Sequence, residues 1–403
     1  MEGDFLKYLF KKFICALLCT SIFACSACSL NSQSDSISET EPSATQSIVD
    51  ETTQAVKLST DDQPATYNLS KLKENTDKVT QQFDDFITNK KYKGVVYNKI
   101  GGDFEYISQK GLSVVEDHKS NSVNTQYYVG SLTKQFTAVA IMKLVEENKL
   151  SLDDKIDKYF ENYEYGEKIT VKNLLTMTSG IPSYTCYYGS IDNNYYNFDQ
   201  IGFSLEEDNE EHNKKAILDW ILKQELRFEP DSRFAFSDSN YFLLGKIIEK
   251  VSEKSYEEYI TENIFEPLGM KSSVFDNAEN LAIGYDGSDN YKWLYYDGVG
   301  YSSSGLITSV SDFLKWIYAF DEYKIISKES VDEMCTPYLE NYGYGFFVYQ
   351  DRIVQTAGFD KYSAMLEFTR SESEIFVSVS NYNYNDPVHL FAMFRVFLKP
   401  YYG

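Results

Sequence analysis

Histidine is nearly absent: His118, His212 and His389 are the only three in 403 residues. None lies beside a run that reads as a catalytic motif, so a histidine-based proton relay has no candidate, and each histidine reads as a surface or packing residue. Cysteine is equally scarce where it would matter. Four of the six lie in the first 28 residues, which leaves Cys186 and Cys335 for the rest. Two cysteines exclude a disulfide framework and a zinc pattern, and leave open a single bridge between them. Positive charge is also short, with 38 Lys and Arg against 61 Asp and Glu and a formal charge of −23. Nucleic acid, anionic membrane surfaces and anionic polymers would all be repelled.

What is present points to a folded protein. The chain is 43% hydrophobic and 16% aromatic, with 34 Tyr, enough to bury a core in one large domain or two modest ones. Its first 28 residues differ from the rest: Lys7, Lys11 and Lys12 precede the apolar run FICALLCTSIFA, too short to span a bilayer and charged in the order of an export signal. The run ends in Ala24, Cys25, Ser26, Ala27 and Cys28, which resembles the lipobox of bacterial lipoproteins, where a cysteine after a small residue is lipidated. Cys25 or Cys28 would be that residue. The expectation is a protein exported and anchored to the outer face of the bacterial cytoplasmic membrane, or secreted if it is not lipidated. Residues 29–66, rich in Ser, Thr, Gln, Asp and Glu, read as a disordered tether.

Residues 67–403 read as one unit. DKVTQQFDDFI has helical spacing, and KGVVYN and DFEYISQ read as strands joined at Gly101 and Gly102. Strand signals return only in YGFFVYQ, RIVQTA, YSAMLEF and EIFVSVSN, before the helical run PVHLFAMFRVFL. Pairing the early strands with the late ones predicts an α+β fold: an antiparallel sheet, from about 67–125 and 340–403, flanked by terminal helices. A mostly helical subdomain, about 126–339, would be inserted between its strands. The Tyr- and Asn-rich stretch 184–200 reads as an exposed loop.

Ser131 and Lys134, in YYVGSLTKQFTAVAIMKLV, stand three residues apart and share a helix face. A serine hydroxyl is inert at neutral pH until a base takes its proton, and a neutral Lys134 is the candidate base, the alternative being Ser131 as a helix N-cap and Lys134 as a solvated first-turn residue. Gly130 permits a tight entry, and the unpaired N–H groups of the first turn favour an oxyanion beside Ser131. The spacing alone is weak, since about one or two chance matches are expected in a chain of this length. A second match, Ser70 to Lys73, lies in the polar segment NLSKLKEN with no glycine before it and no apolar run after it.

Further segments accompany the pair in order: LLTMTSGIP at 174–182, NYFLLGKIIEKVSEKSYEEYITENIFEPLGM at 240–270, and SSGLITSVSDFLKW at 303–316. Together with SLTK they resemble the serine β-lactamase and D,D-peptidase superfamily, particularly its class C β-lactamase branch, over nearly all of 80–385. The resemblance implies Ser131 as nucleophile, Lys134 as base, and the backbone N–H groups of Ser131 and Gly358 as the oxyanion hole. Two family motifs are altered. Where the family has Tyr, a small residue and Asn, this chain has Phe236, Ser237 and Asp238, so the phenol that shuttles a proton is missing. Where the family has Lys or His, Thr or Ser, then Gly, this chain has Gln355, Thr356 and Ala357, which removes the cation that attracts a substrate carboxylate. Asp238 is expected to hold Lys134 by charge, favouring the ammonium.

The implied activity is a cell-surface serine hydrolase acting through a Ser acyl-enzyme on an amide, ester or β-lactam carbonyl, with a small peptide, ester or β-lactam as substrate. The alternative is a surface-tethered, catalytically weak or inactive binding protein for peptide or peptidoglycan fragments. No metal or organic cofactor is implied.

Overall fold

The structure is a computed structural model that describes residues 66–185, 205–206, 209–285 and 297–403, apart from 360, 372 and 383. The proposed leader with Cys25 and Cys28, nearly all of the tether, and Cys186 lie outside the described residues.

Six antiparallel strands form the central sheet: β1 Gly94–Ile100, β2 Phe104–Lys110, β3 Phe347–Tyr349, β4 Arg352–Phe359, β5 Tyr362–Thr369 and β6 Glu374–Ser380. Their order is β2-β1-β6-β5-β4-β3. The early hairpin therefore joins the late meander through β1 and β6, with Val95 opposite Val379 and Tyr97 opposite Val377. Side chains alternate across each strand. Val95, Tyr97, Val377 and Val379 face one hydrophobic core, and Val96, Ile100 and Phe376 face another.

The second core lies under two helices, α1 Thr76–Asn89 and α6 Pro387–Leu398. Val79, Phe83 and Ile87 recur at helical spacing as the buried stripe of the first. Phe83 stacks on Phe394 at 3.8 Å between ring centroids. Two ion pairs are buried on the same face: Arg352 Nε donates to Glu367 at 2.6 Å, and Arg395 Nη1 to Glu374 at 2.5 Å. The α+β architecture expected from the strand pattern is thus present.

The first core carries the inserted helical layer, built around α2 Thr133–Glu146, α3 Asp238–Ser252, α4 Tyr301–Ser304 and α5 Val310–Asp321. Helix α2 is buried on every side, its polar Thr133, Lys134, Gln135 and Thr137 included, which marks a central rather than an amphipathic surface helix. Neighbouring elements meet two of these polar groups: Gln135 Oε1 accepts from Trp316 Nε1 at 3.0 Å, and Thr137 Oγ1 donates to Ser302 O at 2.7 Å. Helix α4 can approach α3 because residue 245 is Gly, where a Cβ would lie 2.1 Å from Ser302 Oγ. That contact gives the glycine of NYFLLG its physical reason.

Candidate active site

The chain reaches Ser131 along a short antiparallel pair, Tyr127 opposite Thr308 and Tyr128 opposite Ile307, and Val129 N donates to Leu306 O at 3.1 Å. The segment SSGLITS, remote in sequence, therefore sets the approach to Ser131. Gly130 then turns with φ +51°, a conformation that suits glycine. A single 3₁₀ turn, Gly130–Leu132, leads directly into α2. Ser131 is partly exposed at this entry, whereas Lys134 one turn on is fully buried.

Lys134 Nζ lies 3.0 Å from Ser131 Oγ, 2.6 Å from Asp238 Oδ1 and 2.9 Å from Ser303 O. These acceptors match the three N–H groups of an ammonium. A neutral amine also fits, donating to Asp238 and Ser303 and turning its lone pair toward the Ser131 hydroxyl. The amine further sits over the rings of Phe236 at 4.7 Å and Tyr241 at 5.7 Å, contacts that favour the cation, as does Asp238.

Asp238 is the first residue of α3, where the helix dipole favours a carboxylate. Its N–H donates to Ser183 Oγ at 3.0 Å, and its Oδ2 accepts from Thr185 Oγ1 at 2.5 Å. The carboxylate is thus engaged by Lys134 and Thr185 together. Beneath it runs the LLTMTSGIP segment: Ala235 N donates to Met177 O, Asp231 N to Thr178 O, and Ser179 Oγ to Asn240 Oδ1 at 2.5 Å. Ser237 is buried, with its N–H on Met177 Sδ at 3.4 Å.

Strand β4, which carries Gln355, Thr356, Ala357 and Gly358, packs against the Gly130–Leu132 turn that holds Ser131. Ile353 and Ala357 belong to the core on the helical side, so Gln355 shares that face and Thr356 takes the other. The structure buries Gln355 and turns its Nε2 onto Thr356 O at 3.2 Å. Thr356 and Gly358 are the partly exposed positions of this strand end.

The second Ser–Lys match is placed differently. Lys73 is exposed and pairs with Asp103 at 2.8 Å. The histidines also lie apart from Ser131: His118 is in an exposed turn, His212 faces Glu206 at 3.6 Å, and His389 packs on Phe86 over the opposite sheet face.

Sequence reasoning missed Ser183, Thr185 and Ser303. The start of the expected loop 184–200 is corrected here: Tyr184 is fully buried, its hydroxyl donating to Val299 O at 2.5 Å, and Thr185 holds Asp238. The signal for Ser183 and Thr185 was direct continuity with LLTMTSGIP, and that for Ser303 its place at the start of SSGLITS. The remainder of that stretch lies outside the described residues.

An antiparallel sheet with terminal helices on one face, and a Ser–Lys pair entering a buried helix on the other, is the architecture of the serine β-lactamases and transpeptidases. The chain belongs to the beta-lactamase family, whose model matches residues 79–397. It is 28% identical over 330 residues to penicillin-binding protein 4* of Bacillus subtilis (strain 168), covering 73% of this chain and 69% of that protein. It is also 28% identical to protein flp of Staphylococcus aureus (strain MW2), over 68% of this chain and 56% of that one. The octameric penicillin-binding protein homologue from Pyrococcus abyssi superposes with a TM-score of 0.64 at 30% identity, covering 78% of this chain and 76% of its own. A class C beta-lactamase shares the fold with a TM-score of 0.66 at 20% identity, over 82% of this chain and 98% of its own.

Proposed function

We propose that this protein is a serine hydrolase of the outer cell envelope that cleaves an amide, ester or β-lactam through an acyl-enzyme on Ser131. The observation that carries this proposal is the buried amine of Lys134, 3.0 Å from Ser131 Oγ. Folding alone gives no reason to bury a lysine against a partly exposed serine, since an internal ammonium is costly to desolvate.

With Lys134 neutral, its lone pair takes the Ser131 proton as Oγ forms a bond to the substrate carbonyl carbon. The resulting oxyanion is received by the backbone N–H groups of Ser131 and Gly358. When the tetrahedral adduct collapses, the bond to the leaving group breaks and Lys134 returns the proton to it. Phe236 has no hydroxyl to relay that proton, so the transfer is direct. Water then attacks the acyl carbonyl, losing its proton to Lys134; as that adduct collapses the bond to Ser131 Oγ breaks, Lys134 returns the proton to Oγ, and the acid departs.

Asp238 and the ring of Phe236 both favour the ammonium, so only a fraction of Lys134 is ready to act near neutral pH. Slow turnover follows, and it is what keeps the second reading in view: a tethered binding protein for peptide or peptidoglycan fragments with little turnover. In either case the leader would export the chain, with Cys25 or Cys28 carrying the lipid that anchors it.

The test is to treat the full chain and its Ser131→Ala variant with a fluorescent penicillin and with a phosphonate serine probe. Covalent label on the wild type alone supports the hydrolase. Label that persists in the variant, or none on either protein, refutes it, and the second outcome favours the binding protein.

A further inference from the structure

We infer that the leaving-group side of the substrate is neutral and carries an aromatic or bulky apolar group, held by a strip of aromatic side chains that runs outward from Lys134. This inference rests on the hydrolase reading above and specifies the substrate class of the same site.

The strip starts at the proton donor. Because Phe236 cannot relay a proton, the departing atom must come within hydrogen-bond reach of Lys134 Nζ, which lies 4.7 Å from the centre of the Phe236 ring. Whatever is attached to that atom therefore begins its path against Phe236. From there the rings continue. Tyr342 lies 6.4 Å from Phe236, and it contacts Phe234 at 5.4 Å and Phe347 at 4.9 Å between centroids. Phe234 and Phe347 are themselves 6.1 Å apart.

Exposure distinguishes this strip from ordinary core. Tyr342 is fully buried and acts as a floor, while Phe234, Phe236 and Phe347 all keep part of their surface open. At the outer end stand Tyr338 and Leu339, 39% and 37% exposed, two of the four exposed large hydrophobic residues among those described. Tyr338 is tied to the floor because its N–H donates to Tyr342 O at 2.9 Å. Apolar surface left open and continuous with a catalytic pair marks a place for a ligand.

Charge decides the kind of ligand. A leaving group ending in a carboxylate needs a cation on the strand beside the nucleophile, and position 355 holds an uncharged glutamine whose amide donates to Thr356 O. The carboxylate of Asp238 lies at the inner end, 2.6 Å from Lys134. A carboxylate next to the departing atom would meet repulsion there, while a ring would bury surface against Phe234 and Phe347. At the far outer end Lys172 Nζ, 5.7 Å from the centre of the Tyr338 ring, and Asp231 both lie beside that tyrosine.

The experiment compares, on the full chain, acetate esters of benzyl alcohol, ethanol and glycolate, each corrected for its alkaline hydrolysis rate. Benzyl acetate is expected to show the highest kcat/KM, exceeding ethyl acetate by about ten-fold or more, which is the worth of burying a ring. Phe347→Ala and Phe234→Ala should remove that preference by lowering the benzyl acetate rate several-fold more than the ethyl acetate rate, and the milder Phe347→Leu serves if an alanine variant does not fold. Equal loss on both esters, or a preference for the glycolate ester, overturns the inference. Should no ester be hydrolysed, the hydrolase reading is decided separately by the covalent labelling of wild type against Ser131→Ala. The subsite is then decided by NMR titration of the Ser131→Ala protein with N-benzylacetamide and N-ethylacetamide. Tighter binding of the benzyl compound, lost in the Phe347 variant, supports the subsite; equal binding refutes it.

Discussion

Replacing Asp238 by asparagine removes one charge from the site and little else. The amide keeps an oxygen for Lys134 Nζ, now 2.6 Å from Oδ1. Its NH₂ group can donate to Thr185 Oγ1, which at present donates to Oδ2 at 2.5 Å. What disappears is the attraction that holds Lys134 as an ammonium. An opposite charge at such a distance typically favours the charged form by about one to three powers of ten. The side chain of Lys134 is fully buried and that of Asp238 is 14% exposed, so solvent screens the pair only weakly. The neutral amine at pH 7 should therefore rise by roughly ten- to a thousand-fold. If proton removal from Ser131 limits acylation, the rate of labelling by a phosphonate probe should rise with it, and the ascending limb of the pH–rate profile should move to lower pH. The assay is the second-order labelling rate of wild type and Asp238→Asn between pH 6 and 10. Superimposable profiles would show that Asp238 does not control the protonation of Lys134, and the proposed base would lose its main support.

Four other outcomes are expected. Phe236→Tyr should restore a proton relay and raise hydrolysis of a small ester by up to about a hundred-fold; unchanged rates mean that the ring at 236 does not occupy the shuttle position. Gly345→Ala should destabilise the protein by about 1–3 kcal/mol in chemical denaturation, because φ is +93° and the new Cβ would lie 2.8 Å from Lys134 O; a stable variant with normal activity would refute that tight fit. Glu367→Ala should cost about 3–5 kcal/mol by removing the carboxylate to which the buried Arg352 guanidinium donates. The double change Arg352→Met with Glu367→Leu should recover much of that loss, and a double variant no more stable than Glu367→Ala would refute this account of the loss. Burial pushes the Cys335 thiol up to about 12, so it is protonated at pH 8, where iodoacetamide followed by peptide mapping should leave it unmodified until the protein is unfolded.

Much of the molecule was legible in the chain because its signals are local. Alternation marked β1, β2 and β4 to β6, and PVHLFAMFRVFL coincides with α6. The Ser–Lys spacing placed two groups on one helical face within hydrogen-bond reach, since α-helical geometry depends only on residues a few positions apart. The substitutions at 236 and 355 were equally visible, because the presence or absence of a hydroxyl or a cation needs no coordinates.

Other features arise only from packing. Gln355 turned out to be buried with its amide on a neighbouring carbonyl, since the side of the sheet it faces depends on which core receives Ile353 and Ala357. Thr185 and Ser303 meet Asp238 and Lys134 from far along the chain, so no spacing announces them. The aromatic strip is assembled in the same way, from a segment before α3 and a hairpin more than 100 residues later. Sequence alone determined which groups are available and which neighbours share a helix turn or a strand face. Tertiary structure decided which of them meet, and it did so because the burial of two cores against one sheet, rather than proximity along the chain, brings remote side chains together.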